Sequence, residues 1–192
     1  ANNQGIEKAH SEYICFLNND VQIFPSWDLY LINALDRIGA AFAGPVTNNC
    51  TGSQCDNYDL TDVTPAQYQE VAQNRSVNCK AEYKVGKFQL IGFCLLGKAD
   101  FIRQLNGFDE GFGLGNFEDF DLTLRGLLLA EKNVIAEDCF IYHHGSKTFS
   151  GNNLFNQKNY NDNAMYFISK WGGQWEEKRY IPPDGFDRSK YR

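Results

Sequence analysis

Short apolar runs alternate with amphipathic segments along this chain, and that alternation constrains its fold more than any other feature. Tyr13-Ile14-Cys15-Phe16-Leu17 is apolar, of strand length, and ends in Asn18-Asn19-Asp20. It reads as a buried parallel strand. A helix is predicted from Pro25-Ser26-Trp27-Asp28, with Leu31, Ile32, Leu35 and Ile38 as its apolar face and Gly39 as its stop. Ala40 to Val46 reads as another strand, and Pro65 to Arg75 as a helix with proline at its first position. Phe88 to Leu96 carries the strongest strand signal, followed by a short helix over Lys98 to Leu105. Val134 to Tyr142 reads as a strand. Asn156 to Trp171 reads as a helix with Ala164, Phe167, Ile168 and Trp171 at apolar spacing. Ala1 to Ser11 resembles the end of a helix, with Ile6 and Ala9 on one side. The class is α/β, in one domain over residues 1–192, without internal repeat or linker. The polar tail from Gly172, which contains Pro182-Pro183, is expected to be mobile.

Three polar positions punctuate this pattern. Asp20 lies beyond the carboxyl end of a strand, where ligands bind in open α/β sheets. A glycine-rich turn, Gly111-Phe112-Gly113-Leu114-Gly115, runs into Asn116-Phe117-Glu118-Asp119-Phe120-Asp121-Leu122. Asn116 is expected to cap the helix that starts there. Glu118, Asp119 and Asp121 then fall in its first turn, where the helix dipole favours negative charge. Such acidic starts are common in soluble proteins. Asp121 and Arg125 are spaced to pair, and Leu124, Leu127 and Leu128 supply the apolar side. Third, His143-His144 closes a strand; adjacent side chains take opposite faces, so at most one of them faces a site. A carboxylate with an imidazole suits a divalent cation that keeps positions open for phosphate. A further carboxylate at a helix start suits a general base.

Composition removes several alternatives. With a net charge of −6 and no lysine/arginine block, neither nucleic acid nor an acidic membrane is the expected main partner. No apolar run approaches the roughly 20 residues of a membrane span. Of the six cysteines, Cys15 and Cys94 sit in apolar runs, and Cys50 and Cys55 share a polar loop where they could pair. None has zinc-like spacing, and mostly free thiols in a reducing compartment are expected. The long polar stretch from Thr47 to Thr64 is of the length that is usually functional or disordered.

In this order the motifs resemble family 2 glycosyltransferases. The matching pieces begin with Glu12 to Asp20, Gly44-Pro45-Val46-Thr47-Asn48 and Ile91-Gly92-Phe93-Cys94-Leu95-Leu96. They continue with Gly107 to Gly113, Asn116 to Leu122 and His143-His144-Gly145-Ser146-Lys147-Thr148-Phe149. The resemblance implies a GT-A-like fold, a mixed and mostly parallel sheet flanked by helices. It implies transfer of a sugar from a nucleotide-sugar donor to a glycan or other hydroxyl acceptor, with inversion. Asn18-Asn19-Asp20 matches the family's DxD-like motif, with asparagine in place of its first aspartate. Asp20 is then the expected ligand of Mg²⁺ or Mn²⁺, with His143 as the second ligand and His144 as its alternative. Asp119 is the expected base, with Glu118 and Asp121 orienting it, the acceptor or Arg125. Asn18, Asn19, Trp27, Gly92, Phe93 and Arg125 are expected around donor or acceptor. Family members usually begin with further strand–helix units that bind the nucleoside. The expectation is therefore an N-terminally truncated domain, working with that missing half or with other domains of a larger chain. The expected setting is cytoplasmic, including the inner face of a membrane. Two other readings compete. One is a non-catalytic remnant of the fold that binds glycans or supports a partner. The other is a nucleotidyltransferase, which would want a glycine-rich basic phosphate loop near its start.

Overall fold

In a computed structural model of the chain, residues 1–50, 52–56, 64–113, 115–130, 132–145, 157–176 and 179–181 are described. Five strands form the main sheet: β1 (Tyr13–Leu17), β3 (Ala43–Val46), β4 (Tyr83–Gly86), β5 (Cys94–Lys98) and β6 (Asn133–Phe140), in the order β1-β5-β3-β6-β4. Two short strands, β2 (Val21–Gln22) and β7 (Tyr142–His143), form a separate antiparallel ladder. The helices are α1 (Asn2–Lys8), α2 (Trp27–Ile38), α3 (Pro65–Asn78), α4 (Ala99–Gln104), α5 (Glu118–Ala130) and α6 (Gln157–Trp171). A 3₁₀ turn spans Glu110–Phe112. In the tail, β8 (Gln174–Glu176) and β9 (Arg179–Ile181) pair as an antiparallel hairpin.

The α/β class and the mixed sheet flanked by helices agree with expectation, while the balance of pairings differs. Among the strands of the described residues, only β3 and β6 pair in parallel. The pairs β1–β5, β3–β5 and β4–β6 are antiparallel. Because β5 is inserted between β1 and β3, those two strands and β6 still run the same way, and their carboxyl ends share one edge of the sheet. That edge carries the site.

β1 is a half-buried edge strand rather than a buried parallel one; among the described residues no strand pairs its outer side. The apolar run from Phe88 becomes strand only at Cys94. Its earlier part is apolar because it is buried, with Leu90 and Phe93 at 0% and 1% exposure, and not because it is laddered. Period-2 alternation sorts the core. On β5, Leu95 faces one cluster with Ile102 and Leu122, while Cys94 and Leu96 face another with Leu31 and Leu35 of α2. Burying Leu31 and Leu35 stabilises the α2 contact by roughly 1.5–3 kcal/mol each. Gly39 ends α2 in the left-handed conformation, its N–H donating to the Leu35 carbonyl. A third cluster joins α5 to α6 through Leu124, Leu127, Phe167 and Trp171.

The parallel pair β3–β6 slips near its end. Pro45 pairs with Ala136 but Val46 with Phe140, so residues 137–139 bulge out. The polar loop after β3 turns back on itself and plants Gln54 at 1% exposure. Gln54 Nε2 donates to the Pro45 carbonyl at 3.0 Å, and its Oε1 accepts from Ile91 N–H at 2.7 Å. All six cysteines are free thiols, Cys50 and Cys55 included. Among the described residues no helix is long and apolar enough to cross a membrane.

Candidate active site

The chain leaves β1 through Asn18, whose N–H donates to the Phe93 carbonyl at 2.9 Å. This bond sets the turn Asn18-Asn19-Asp20 beside the start of β5, with Asn18 and Asn19 exposed at its tip. Directly after Asp20, β2 pairs with β7 and aligns Val21 with His143. His144 N–H donates to the Asp20 carbonyl at 2.9 Å. Asp20 and His143 are thereby brought together although far apart in sequence. Their side chains are only 10% and 11% exposed, and His143 Nε2 lies 3.4 Å from Asp20 Oδ1.

His143 is fixed from several sides. Its ring stacks on Phe93 at 5.1 Å and 16°. Asn48 clasps its backbone, Oδ1 accepting from His143 N–H at 2.8 Å and Nδ2 donating to its carbonyl at 3.2 Å. His143 Nδ1 lies 2.8 Å from the Asn49 carbonyl. A carbonyl can only accept, so Nδ1 carries the proton, and in the neutral ring Nε2 keeps its lone pair. That Nε2 is buried and without a hydrogen-bond partner among the described residues. A lone pair facing a carboxylate at 3.4 Å is favourable only with a proton or a cation between them. The pair therefore fits a divalent cation, and the Asn49 carbonyl is the outer partner such a histidine ligand normally has. His144 is exposed and packs edge-on against Tyr142, away from the pair. Among the described residues no group of three or more His, Cys, Asp or Glu could hold a metal.

The acidic helix start meets the Gly92-Phe93 turn that precedes β5. Gly92 N–H donates to Asp119 Oδ2 at 2.7 Å, and Phe120 N–H to Oδ1 at 2.8 Å. Burial pushes the Asp119 carboxyl up, and those backbone donors pull against it without cancelling it. Burial, then the neighbouring Asp119, push Glu118 up to about 7. Glu118 Oε2 is buried with no partner among the described residues. The residue lines a cleft of about 550 Å³ together with Phe108, Phe112, Gly115 and the first residues of α1. A base whose pKa lies near the working pH combines basicity with availability.

The glycine-rich turn that aims these carboxylates is held by α6, where Asn163 Nδ2 donates to the carbonyls of Phe112 at 2.7 Å and Asn116 at 3.2 Å. Asn116 is not the helix cap. Asn116 and Phe117 both adopt left-handed backbone, at φ 69° and 73°, and Phe117 is the residue just before the helix. Two such residues cost of order 1–3 kcal/mol each, held by the buried Phe117 ring and the Asn163 clamp.

Several of the expected residues have surroundings that bear on their roles. Asp121 cannot touch a substrate: it is 0% exposed and lies about 200° around the helix from Asp119. Its oxygens accept from Arg125 Nε at 2.8 Å, Lys170 Nζ at 2.7 Å and Trp171 Nε1 at 2.9 Å. Of its expected partners it orients Arg125 alone. Arg125 spends its other donors on the carbonyls of Leu105 and Gly107, so its guanidinium anchors the chain after α4 and does not face a donor sugar. Phe93 is 1% exposed and supports His143 from beneath, so it is no wall of an open site. Gly92 acts through its N–H. Trp27 lines a different cleft, between α2, α3 and β6, which Asp20, Asp119 and His143 do not line. Asn48, Asn49 and Gln54 carry roles that their sequence surroundings did not single out. The parallel pairing of β3 with β6, continued by Ile141 N–H donating to the Val46 carbonyl, makes the first two neighbours of His143.

One edge of the sheet thus gathers the Asp20–His143 pair and, through Gly92, the acidic helix start. The family model described as glycosyl transferase family 2 matches residues 1–98, and the chain belongs to that family. No curated protein matches the chain. The matched region contains Asp20, Gly92 and Phe93 and ends before Glu118, Asp119 and His143.

Proposed function

We propose that this domain moves a sugar from a nucleotide-sugar donor to an acceptor hydroxyl in a single displacement with inversion. One observation carries the reading: the two-residue turn Gly92-Phe93 holds all three reactive elements. Gly92 N–H grips Asp119, the Phe93 carbonyl holds the turn before Asp20, and the Phe93 ring backs His143. Asp20 Oδ1 and His143 Nε2 would hold Mg²⁺ or Mn²⁺. The bound cation would supply charge neutralisation for the departing diphosphate. Asp119 takes the proton of the acceptor hydroxyl as its oxygen forms a bond to the anomeric carbon, and the bond from that carbon to the diphosphate oxygen breaks on the opposite face. Gly92 N–H fixes the carboxylate in line, so little reorganisation is needed at the moment of reaction. Asn18 and Asn19 stand at the exposed tip of the same turn, in reach of a donor. The edge of β1 that no described strand pairs offers backbone groups to one more strand. Six free thiols accord with a cytoplasmic setting.

A second assignment of the base has an observation of its own. Glu118 lines the larger cleft, has a buried oxygen without a partner among the described residues, and is pushed up to about 7. Calorimetric titration with Mn²⁺ and a panel of nucleoside diphosphates, followed by transfer assays, separates the possibilities. Metal-dependent binding is expected. Asp119→Asn is expected to lower turnover by about 10²–10⁴-fold with Mn²⁺ affinity nearly intact. Near-normal turnover in Asp119→Asn, with the loss in Glu118→Gln, moves the base to Glu118. Unchanged turnover in both places the base elsewhere, whereas no transfer and no metal-dependent binding leave a non-catalytic glycan-binding or scaffold module as the better account.

A further inference from the structure

The cleft that takes Trp27 has a chemistry of its own. Its volume is about 180 Å³. Phe24, Trp27 and Tyr30 supply aromatic wall, and Gln69 and Gln73 of α3 bring two side-chain amides. Asp138 lines it from the bulge in β6, where residues 137–139 drop out of register with β3. Bulges of this kind re-aim a side chain. Asp138 is 4% exposed, and its Oδ2 accepts from Ala81 N–H at 2.9 Å. Its Oδ1 is buried and has no hydrogen-bond partner among the described residues. A buried acceptor left without a donor is costly unless a ligand or water provides one.

These features select a ligand with an apolar face and a hydroxyl edge. Aromatic side chains take the apolar face, the unpartnered carboxylate oxygen takes an O–H donor, and side-chain amides both donate and accept. A pyranose ring presents that combination. The volume falls below the roughly 300–1,000 Å³ of drug-sized pockets, so one ring fits and a longer piece must extend outside. The cleft is also joined to the reacting site by chain. Phe24 follows Asp20 by four residues and His143 follows Asp138 by five, spans of at most about 18 Å when extended.

We propose that this cleft binds one sugar ring of a glycan acceptor, away from the hydroxyl that reacts. The word acceptor rests on the transferase reading above, whereas recognition of the ring rests on the cleft alone. The test is a titration of ¹⁵N-labelled protein with the methyl glycosides of glucose, galactose, mannose and N-acetylglucosamine. Tetramethylammonium chloride serves as the cation control, because an aromatic cleft with a carboxylate could also take an ammonium group. At least one glycoside should move the Trp27 indole signal and the Asp138 and Cys139 amides. Asp138→Asn, which keeps an acceptor for Ala81 and turns a donor into the cleft, should weaken that binding about tenfold or more. Gln73→Ala, at an exposed position, should weaken it by a smaller factor, and Mn²⁺ affinity should be unchanged in both. Silence at these signals with every glycoside, full affinity in Asp138→Asn, or a response to tetramethylammonium instead of the sugars overturns the proposal. If Asp138→Asn does not fold, Gln73→Ala and Tyr30→Ala decide, and full affinity in both overturns it. Glycoside binding here by a chain that transfers nothing defeats the transferase reading and leaves this site standing. Transfer without glycoside binding here does the reverse.

Discussion

Asp119 and Asp121 stand two residues apart on α5 and meet opposite surroundings. Asp121 is wholly buried, and Arg125, Lys170 and Trp171 converge on its two oxygens. Asp119 has two backbone N–H donors, no ion pair among the described residues, and Glu118 as its neighbour. Half a helical turn thus separates a carboxylate whose field is cancelled from a pair whose field is not. The cancelled one ties α6 to α5 and, through Arg125, to the chain after α4. The uncancelled pair keeps affinity for a proton at the edge where β1, β3 and β6 end. Charge balance, more than the presence of carboxylates, distinguishes the part of this helix that holds the fold from the part suited to chemistry.

The contrast breaks most visibly at Asp121. Asp121→Ala removes one side of a buried charge cluster, a change that typically costs about 3–5 kcal/mol. The lower end is expected here, because Lys170 keeps Asp109 at 2.6 Å and Arg125 keeps its two carbonyls. That is a large part of the roughly 5–15 kcal/mol of a typical domain. Urea denaturation should show it as a lower midpoint at little-changed slope. A variant as stable as the parent would mean that Asp121 does not hold α6.

How far the sequence reveals this depends on the range of the interaction. The Asp121–Arg125 pair, the α2 face and the Gly39 stop follow from spacing within one helix, and all are present. Asp20 was readable because an apolar run ends there, and the choice between two adjacent histidines was posed by alternation. What decides that choice is β2 pairing with β7, a contact across the chain with no local signature. The same holds for Gln54, which sits in a polar loop yet is buried, and for Lys170 and Trp171, which reach Asp121 from the far end of another helix. β4 escaped notice because an edge strand with exposed Lys84 and Val85 lacks an apolar pattern. The bulge that turns Asp138 inward is equally invisible, since it depends on register against β3. The stretches 57–63 and 146–156, where part of the polar loop and of the motif after His144 fall, lie outside the described residues.

Glu118 sharpens the comparison through pH. Its carboxyl is lifted from 4.5 to about 7, burial first and Asp119 second. Below the unfolded value of 4.5 both states are protonated and Glu118 carries no penalty. Between 4.5 and 7 the unfolded chain releases the proton and the folded chain retains it, so stability falls as pH rises. Above 7 the loss is complete, at about 3 kcal/mol by 1.36 kcal/mol per unit. Asp119 is lifted too, so the step belongs to the pair. Glu118→Gln should abolish most of the slope and leave the variant more stable than the parent at pH 8. Subtracting the two urea-denaturation profiles from pH 4 to 8 isolates it from other titrations. A flat difference would mean that Glu118 is solvated or paired, and would remove the physical basis for treating it as unbalanced.

The smallest expected effect on stability tests the link between the two reactive elements. A methyl group on Gly92 would stand 2.9 Å from Asp119 Cβ and 3.1 Å from its Oδ2. Contacts that close force a shift, and overpacking of this kind costs about 1–3 kcal/mol. The Asp119 side chain is the freer partner, because the turn is also held by Ile91 N–H on Gln54 and by the Phe93 carbonyl on Asn18. Gly92→Ala should therefore displace the carboxylate from its N–H donor while leaving Asp20 and His143 in place. The expected signature is turnover falling more than Mn²⁺ affinity, with only a modest drop in denaturation midpoint. Equal loss of both would show that the turn moves as a unit, with the acidic helix start and the Asp20–His143 pair coupled through Gly92-Phe93 more rigidly than the hydrogen bonds alone require. Turnover unchanged would show that Asp119 does not need this donor, and the base would then be sought at Glu118, whose cleft the methyl does not enter.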